Sequence, residues 1–211
     1  MRTRIITVAA LAAALAAGLA GSVSAGFTGI SVQDLGNVAG DGVSTTYRVF
    51  AEFDDATDVA LSLGGVAGGT PLSYATLSGD GTMLFAGDDI AQPGSDPAAS
   101  WLTLGLATDL VFSPGFGGGA PGPYFVGDAW SYENGGILDA DTGTPIDGGT
   151  IVIAQFTIAS DAVVRFTGNV GWIPAGGGGA TESPFSVVVP GPGGLALLGL
   201  AGLAGTRRRR G

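Results

Sequence analysis

From Val43 to Phe53 the residues alternate. Val43, Thr45, Tyr47, Val49, Ala51 and Phe53 fall on one parity, and Thr46, Arg48 and Glu52 on the other. A period of two is the signature of a strand with one buried face, because successive side chains leave a pleated backbone on opposite sides. Only Phe50 interrupts the polar parity. Two further runs, Ile151 to Ile158 and Val163 to Val170, are rich in β-branched and aromatic residues. The short connector Ala159-Ser160-Asp161-Ala162 predicts that they form an antiparallel hairpin. Shorter strand candidates lie at Ile30–Leu35, Val59–Val66, Thr82–Ala86, Trp101–Leu106 and Phe185–Val189. Turn signals at Gly79-Asp80-Gly81, Asn134-Gly135-Gly136 and Asp147-Gly148-Gly149 separate them. Seven or eight short strands punctuated by glycine, with no convincing helix between residues 26 and 188, predict an all-β fold: a single, jelly-roll-like β-sandwich.

The two ends of the chain read differently. Arg2 and Arg4 precede an apolar, alanine-rich run from Ile5 to Leu19, and Val23-Ser24-Ala25 supplies the small residues that a signal peptidase reads. Cleavage after Ala25 leaves Gly26 as the first residue of the mature chain. At the other end Val189-Pro190-Gly191-Pro192 is followed by an apolar run to Gly205, then Thr206 and the basic cluster Arg207, Arg208, Arg209 and Arg210. Pro192 suits the first turn of a helix, where its missing N–H costs nothing. A helix from there to Gly205 reaches about 21 Å at ~1.5 Å per residue, short of a hydrocarbon core of about 30 Å. Such a segment is a poor permanent anchor. The arginines fix its cytoplasmic end and leave Pro190 to Pro192 near the opposite face.

A proline-flanked motif, a short apolar helix and a terminal arginine cluster together resemble the PEP-CTERM sorting signal. The resemblance implies that an exosortase-type enzyme processes the tail, and that the protein serves where extracellular polysaccharide or biofilm is made. It covers about a tenth of the chain, and Gly191 stands where the family usually has glutamate. Tyr47 to Asp55 and Ile153 to Thr157 also resemble, loosely, recurring segments of secreted bacterial proteins that carry this tail.

Composition narrows the chemistry. All 18 carboxylates lie between the two signals, with only Arg48 and Arg165 of the eight basic residues, so the formal charge of that stretch is near −16. Such a surface repels nucleic acid. The chain has no cysteine, histidine or lysine, which removes disulfides, histidine- or cysteine-based nucleophilic catalysis and the usual zinc sites. Paired carboxylates of a glycoside hydrolase stay open, though no pair stands out. Asp141-Thr142-Gly143 matches an aspartic protease triplet but has no second copy to share a proton with, so it reads as a polar turn. Asp54, Asp58, Asp139 and Asp141 form acidic clusters that suit a hard cation such as calcium, against the plainer reading of solvated loops. Asp88-Asp89 is a third cluster. Trp101, Trp130, Tyr132 and Trp172 offer rings for stacking on sugars or, equally, for a core.

The expected organisation is a signal peptide with its helix over residues 1–25, the sandwich over 26–174, a glycine-rich linker and last strand over 175–188, and the sorting signal with its short membrane helix over 189–211. Ser113 to Pro123 is expected to be a surface loop, and Ala175 to Pro184 a flexible linker. The expected role is that of an exported, membrane-held precursor that becomes a structural or adhesive protein of the cell surface or matrix. Its expected partners are signal peptidase, an exosortase-type enzyme, the membrane transiently, and extracellular polysaccharide. A carbohydrate-binding module is the alternative, and a carboxylate-dependent hydrolase a more distant one.

Overall fold

The computed structural model describes residues 26–66, 68–83, 97–105, 110–112, 129–132, 135–139, 144–146, 148–175 and 177–190. The signal-peptide and C-terminal helices, the Ser113–Pro123 loop and Asp88-Asp89 lie outside these residues. Among the described residues there is no helix; the chain is all-β and forms two sheets.

The smaller sheet has the order β1 (Phe27–Gly36), β2 (Ser44–Phe53), β10 (Thr150–Ala159), β5 (Trp101–Leu102). The larger, curled into a half-barrel, runs β6 (Leu110–Phe112), β8 (Gly135–Asp139), β3 (Val59–Gly65), β11 (Val163–Ile173), β4 (Leu72–Ser78), β7 (Ala129–Tyr132). In it β12 (Thr181–Pro190) pairs along β11, and β9 (Thr144–Pro145) pairs with β3. All pairings are antiparallel.

From Tyr47 on the alternation of β2 works as the sequence predicts, whereas Thr46, on the polar parity, is fully buried with its hydroxyl bonded to that of Thr157. Tyr47, Val49, Ala51 and Phe53 are buried, and opposite them lie Leu63 of β3, Leu72 and Tyr74 of β4, and Val164, Phe166, Val170 and Trp172 of β11. Val43 departs from the pattern: it precedes the strand and is 68% exposed. A column of rings crosses the two layers, with Phe156 of β10 packed 5.2 Å from Tyr74 and 5.1 Å from Phe166, which in turn lies 5.2 Å from Phe185. Edge-to-face and tilted contacts at such spacings add to the apolar burial of the core.

The expected hairpin of β10 and β11 does not form. β10 pairs with β2 and β5, whereas β11 pairs with β12, β3 and β4 in the other sheet. The connector is an arch between layers, closed by Ala162 N–H on the Ala159 carbonyl and tied to the β1–β2 loop by Ser160 N–H on the Val43 carbonyl. The physical reason lies in the inward residues of both strands. Ile151, Ala154, Phe156 and Ile158 on one, and Val164, Phe166, Val170 and Trp172 on the other, bury more apolar surface facing each other than side by side.

Three other expectations change. Gly135 and Gly136, read as a turn, open strand β8, because the bare α-carbon of Gly136 lets it lie against the Leu63–Gly64 backbone of β3, which a Cβ would strike. Thr82 and Met83 lie outside any strand, and Trp101–Leu106 shortens to the two residues of β5. Last, Ala175 to Pro184 is no linker: the strand begins at Thr181, and the glycines before it close a β11–β12 hairpin in which Gly177 takes a φ of 78° and donates to the Pro174 carbonyl.

Candidate functional site

The β10 register sets Ala159 beside Ser44 and Thr150 beside Glu52, so every long strand runs between two ends of the sandwich. Ten-residue strands at ~3.3 Å per residue separate those ends by about 30 Å. The sequence-predicted boundaries of the mature domain fall one at each end.

Gly26 is buried at the first end. Its carbonyl accepts from Asp54 N–H at 2.9 Å, and its α-carbon abuts the indole of Trp172, so that a Cβ there would strike Nε1 and Cε2. Trp172, 2% exposed, closes a three-ring cluster with Phe27 at 6.1 Å and Phe53 at 5.9 Å, and its Nε1–H has no hydrogen-bond partner among the described residues. Ala25, on the other side of the expected cut, lies outside the described residues.

The β2–β3 turn sits beside this cluster. Asp54 and Asp55 are exposed, and Asp55 accepts from the hydroxyl and N–H of Thr57, which hold its carboxyl below the usual carboxylate range. Asp58 is 2% exposed. One of its oxygens accepts from Ala175 N–H at 2.9 Å, tying the turn to the β11–β12 loop, and the other has no partner among the described residues. Among the described residues no three histidine, cysteine, aspartate or glutamate side chains come close enough to hold a metal ion. Asp54 and Asp58 therefore do not by themselves complete the expected calcium cage. Asp139 ends β8, its side chain and the whole of Asp141-Thr142-Gly143 lying outside the described residues.

At the second end, half of the Val189-Pro190-Gly191-Pro192 motif belongs to the sheet. Val189 is fully buried and pairs with Val164, and Pro190 pairs with Val163 as the last residue of β12. Phe185, Val187 and Val189 alternate inward with Glu182, Pro184, Ser186 and Val188 outward, which is why the strand runs on to Pro190. Among the described residues β12 pairs on one side only, and an edge strand tolerates Pro184 and Pro190, which cannot donate to a ladder. Gly191, Pro192 and Arg207 to Arg210 lie outside the described residues. The neighbouring β1–β2 loop is organised by Asp41, whose carboxylate accepts from the N–H groups of Ser44 and Val43, the Ser44 hydroxyl and the Asn37 amide. Those bonds, the Ser44 N–H foremost, hold its carboxyl far below the usual range.

Sequence reasoning missed a polar clamp on the outer face of the smaller sheet. Arg48 Nε donates to Gln155 Oε1 at 2.9 Å and the guanidinium lies 6.0 Å from the Trp101 ring centroid. Gln155 Nε2 donates to the carbonyls of Pro97 and Ala99, and Ser100 Oγ accepts from Thr157 N–H. The clamp holds residues 97–101 over β10, so Gln155 and Trp101 are buried. The signal was a glutamine inside an apolar strand, where a buried amide needs partners for both of its ends.

Tyr47 is the other buried polar group of note. Among the described residues its hydroxyl has no hydrogen-bond partner, and burial first, then the charge of Asp34, pushes its pKa well above the usual phenol range.

No family model matches this chain, and neither a curated protein nor a solved structure does.

Proposed function

We propose that the protein is an exported, surface-sorted structural or adhesive domain of the cell envelope or extracellular matrix, built as a jelly-roll-like sandwich and processed at both ends. Signal peptidase removes residues 1–25. The apolar run and Arg207–Arg210 hold the precursor in the membrane until an exosortase-type enzyme acts near the Pro190-Gly191-Pro192 motif. The domain then works by being present, with extracellular polysaccharide as the partner its context suggests and nucleic acid disfavoured by its charge.

One observation carries this reading. The described fold opens at Gly26, packed on Trp172 and one residue after the expected N-terminal cut, and its last strand closes at Pro190, two residues into the C-terminal signal. Val189 and Pro190 thus belong both to β12 and to the motif. The described carboxylates add support: Asp41, Asp55 and Asp80 are each engaged by residues of their own turns, and Asp58 is spent on a loop.

Sugar stacking has less behind it. Trp101 and Trp172 are buried, and the side chains of Trp130 and Tyr132 on β7 lie outside the described residues. Retention of the mature protein on a glycan array would revive that reading, and turnover there would revive a hydrolase.

Fractionation of cells expressing the full chain tests the proposal. Replacing Arg207 to Arg210 with serine should release the precursor from the membrane fraction, because the short apolar run alone does not fix its orientation. An unchanged distribution, with surface display intact, defeats the sorting reading.

A further inference from the structure

The register of β12 decides where the tail is cut. Enzymes that cleave or exchange a peptide bond bind the substrate as an extended, unpaired strand, several residues of which lie on the N-terminal side of the scissile bond. In this domain Val187, Val188, Val189 and Pro190 are paired with Phe166, Arg165, Val164 and Val163 of β11. Val187 and Val189 are also buried in the core beside Phe185. Freeing that stretch means opening the ladder and exposing two core valines. At ordinary transfer energies such an opening is populated on the order of one molecule in a hundred or fewer.

We propose that β12 shields the chain up to Pro190, so that the processing enzyme acts on the folded domain at the Pro190–Gly191 bond or beyond it. The inference rests on the reading above that the tail is a processed sorting signal, and it adds the boundary of the product. The mature protein keeps all of β12.

The test is the C-terminal residue of surface-exposed protein, read by mass spectrometry of the intact mature chain and of its C-terminal peptide. The expected last residue is Pro190 or a later one short of Gly211. A mature chain ending at Val189 or earlier overturns the shielding by β12 while leaving the processed-tail reading in place. An intact Gly211 on all surface material overturns both.

A second variant asks whether β12 must open. The chain has no cysteine, so Arg165→Cys with Val188→Cys, exposed register partners on β11 and β12, introduces the one disulfide that can form. If the strand stays zipped, the locked chain is processed to the same terminus as wild type, within about twofold in rate. Loss of processing in the disulfide-bonded double variant, with both single variants processed normally, overturns the proposal.

Discussion

The two ends of the sandwich are closed by different physics. At the Gly26 end three rings, Phe27, Phe53 and Trp172, plug the gap between the sheets, and one glycine lets the chain enter against the indole edge. At the Pro190 end the layers are joined covalently by the β10–β11 arch, and hydrogen bonds to Asp41 and Ser160 brace the loops around it. Apolar plugs carry large energies and depend on shape. Exposed polar braces carry small ones and depend on pH. The Gly26 end has a closure that one side chain can spoil, whereas the Pro190 end is held by the ten-residue β11–β12 ladder.

The largest effect should come from the plug. Trp172→Ala empties the space between Phe27 and Phe53 and is expected to cost about 3–5 kcal/mol, lowering the melting temperature by roughly 10 °C or more. Thermal denaturation of the mature domain checks this. A loss below about 1 kcal/mol would mean that the plug is not what closes this end. Next comes its neighbour. Gly26→Val sets a branched side chain against the indole; overpacking costs about 1–3 kcal/mol in a fixed core, and the lower part of that range is expected because a chain end can shift. The same change in a precursor that keeps its signal peptide also reports on cleavage, so stability should be measured on chains of verified N-terminus.

How far this comparison was legible in the sequence depends on the element. Strand β2 was, since Tyr47, Val49, Ala51 and Phe53 keep strict parity and each is buried. Strand β4 was legible and overlooked: Leu72 and Tyr74 alternate with Ser73 and Ala75, but the serines and threonine dilute the apolar signal. The arch was not, because a four-residue connector is the same string whether it joins neighbours in one sheet or partners across two. Only the partners' faces decide, and those include β4 and β12, distant in sequence. Gly135-Gly136 was misread for a related reason. Glycine marks turns through positive φ and strands through close backbone approach, and the second use becomes visible only when the Leu63–Gly64 backbone is in place. At the termini, the residues of both boundaries were legible as motifs. The strand candidate Phe185–Val189 was legible from the alternation of Phe185, Val187 and Val189, and the structure extends it from Thr181 to Pro190.

Below the plug in size stand the polar braces. Asp41 has its carboxyl held below the unfolded value of 3.8, so it contributes stability that is present above that pH and lost as the pH falls through the folded value. Asp55 and Asp80, each held by the hydroxyl and N–H of a nearby threonine, shift in the same direction. Urea unfolding at pH 5 and pH 3 should show a larger acid-induced loss in wild type than in Asp41→Asn. Asp55→Asn should narrow the loss less, because fewer bonds hold that carboxylate. All three groups are exposed, so salt should weaken the effect. An acid limb identical in wild type and Asp41→Asn would remove Asp41 from the closure of the Pro190 end.

The smallest expected effect is that of calcium at the Gly26 end. Asp58 has one buried oxygen without a partner, but Asp54 and Asp55 are exposed and no three carboxylates converge among the described residues. Calcium takes six to eight oxygens, and a site with one or two protein carboxylates binds weakly, so millimolar calcium adds little by mass action. The melting temperature in millimolar calcium, in magnesium and in chelator, at matched ionic strength, should therefore agree within about 1 °C, which is a few tenths of a kcal/mol for a domain of this size. A rise of several degrees in calcium alone would show a real site. If Asp58→Asn abolished that rise, the orphan oxygen would be a ligand, and the Gly26 end would be closed by an ion as well as by Trp172. If Asp139→Asn or Asp141→Asn abolished it instead, the site would belong to the loop after β8, and the difference between the two ends would stand unchanged.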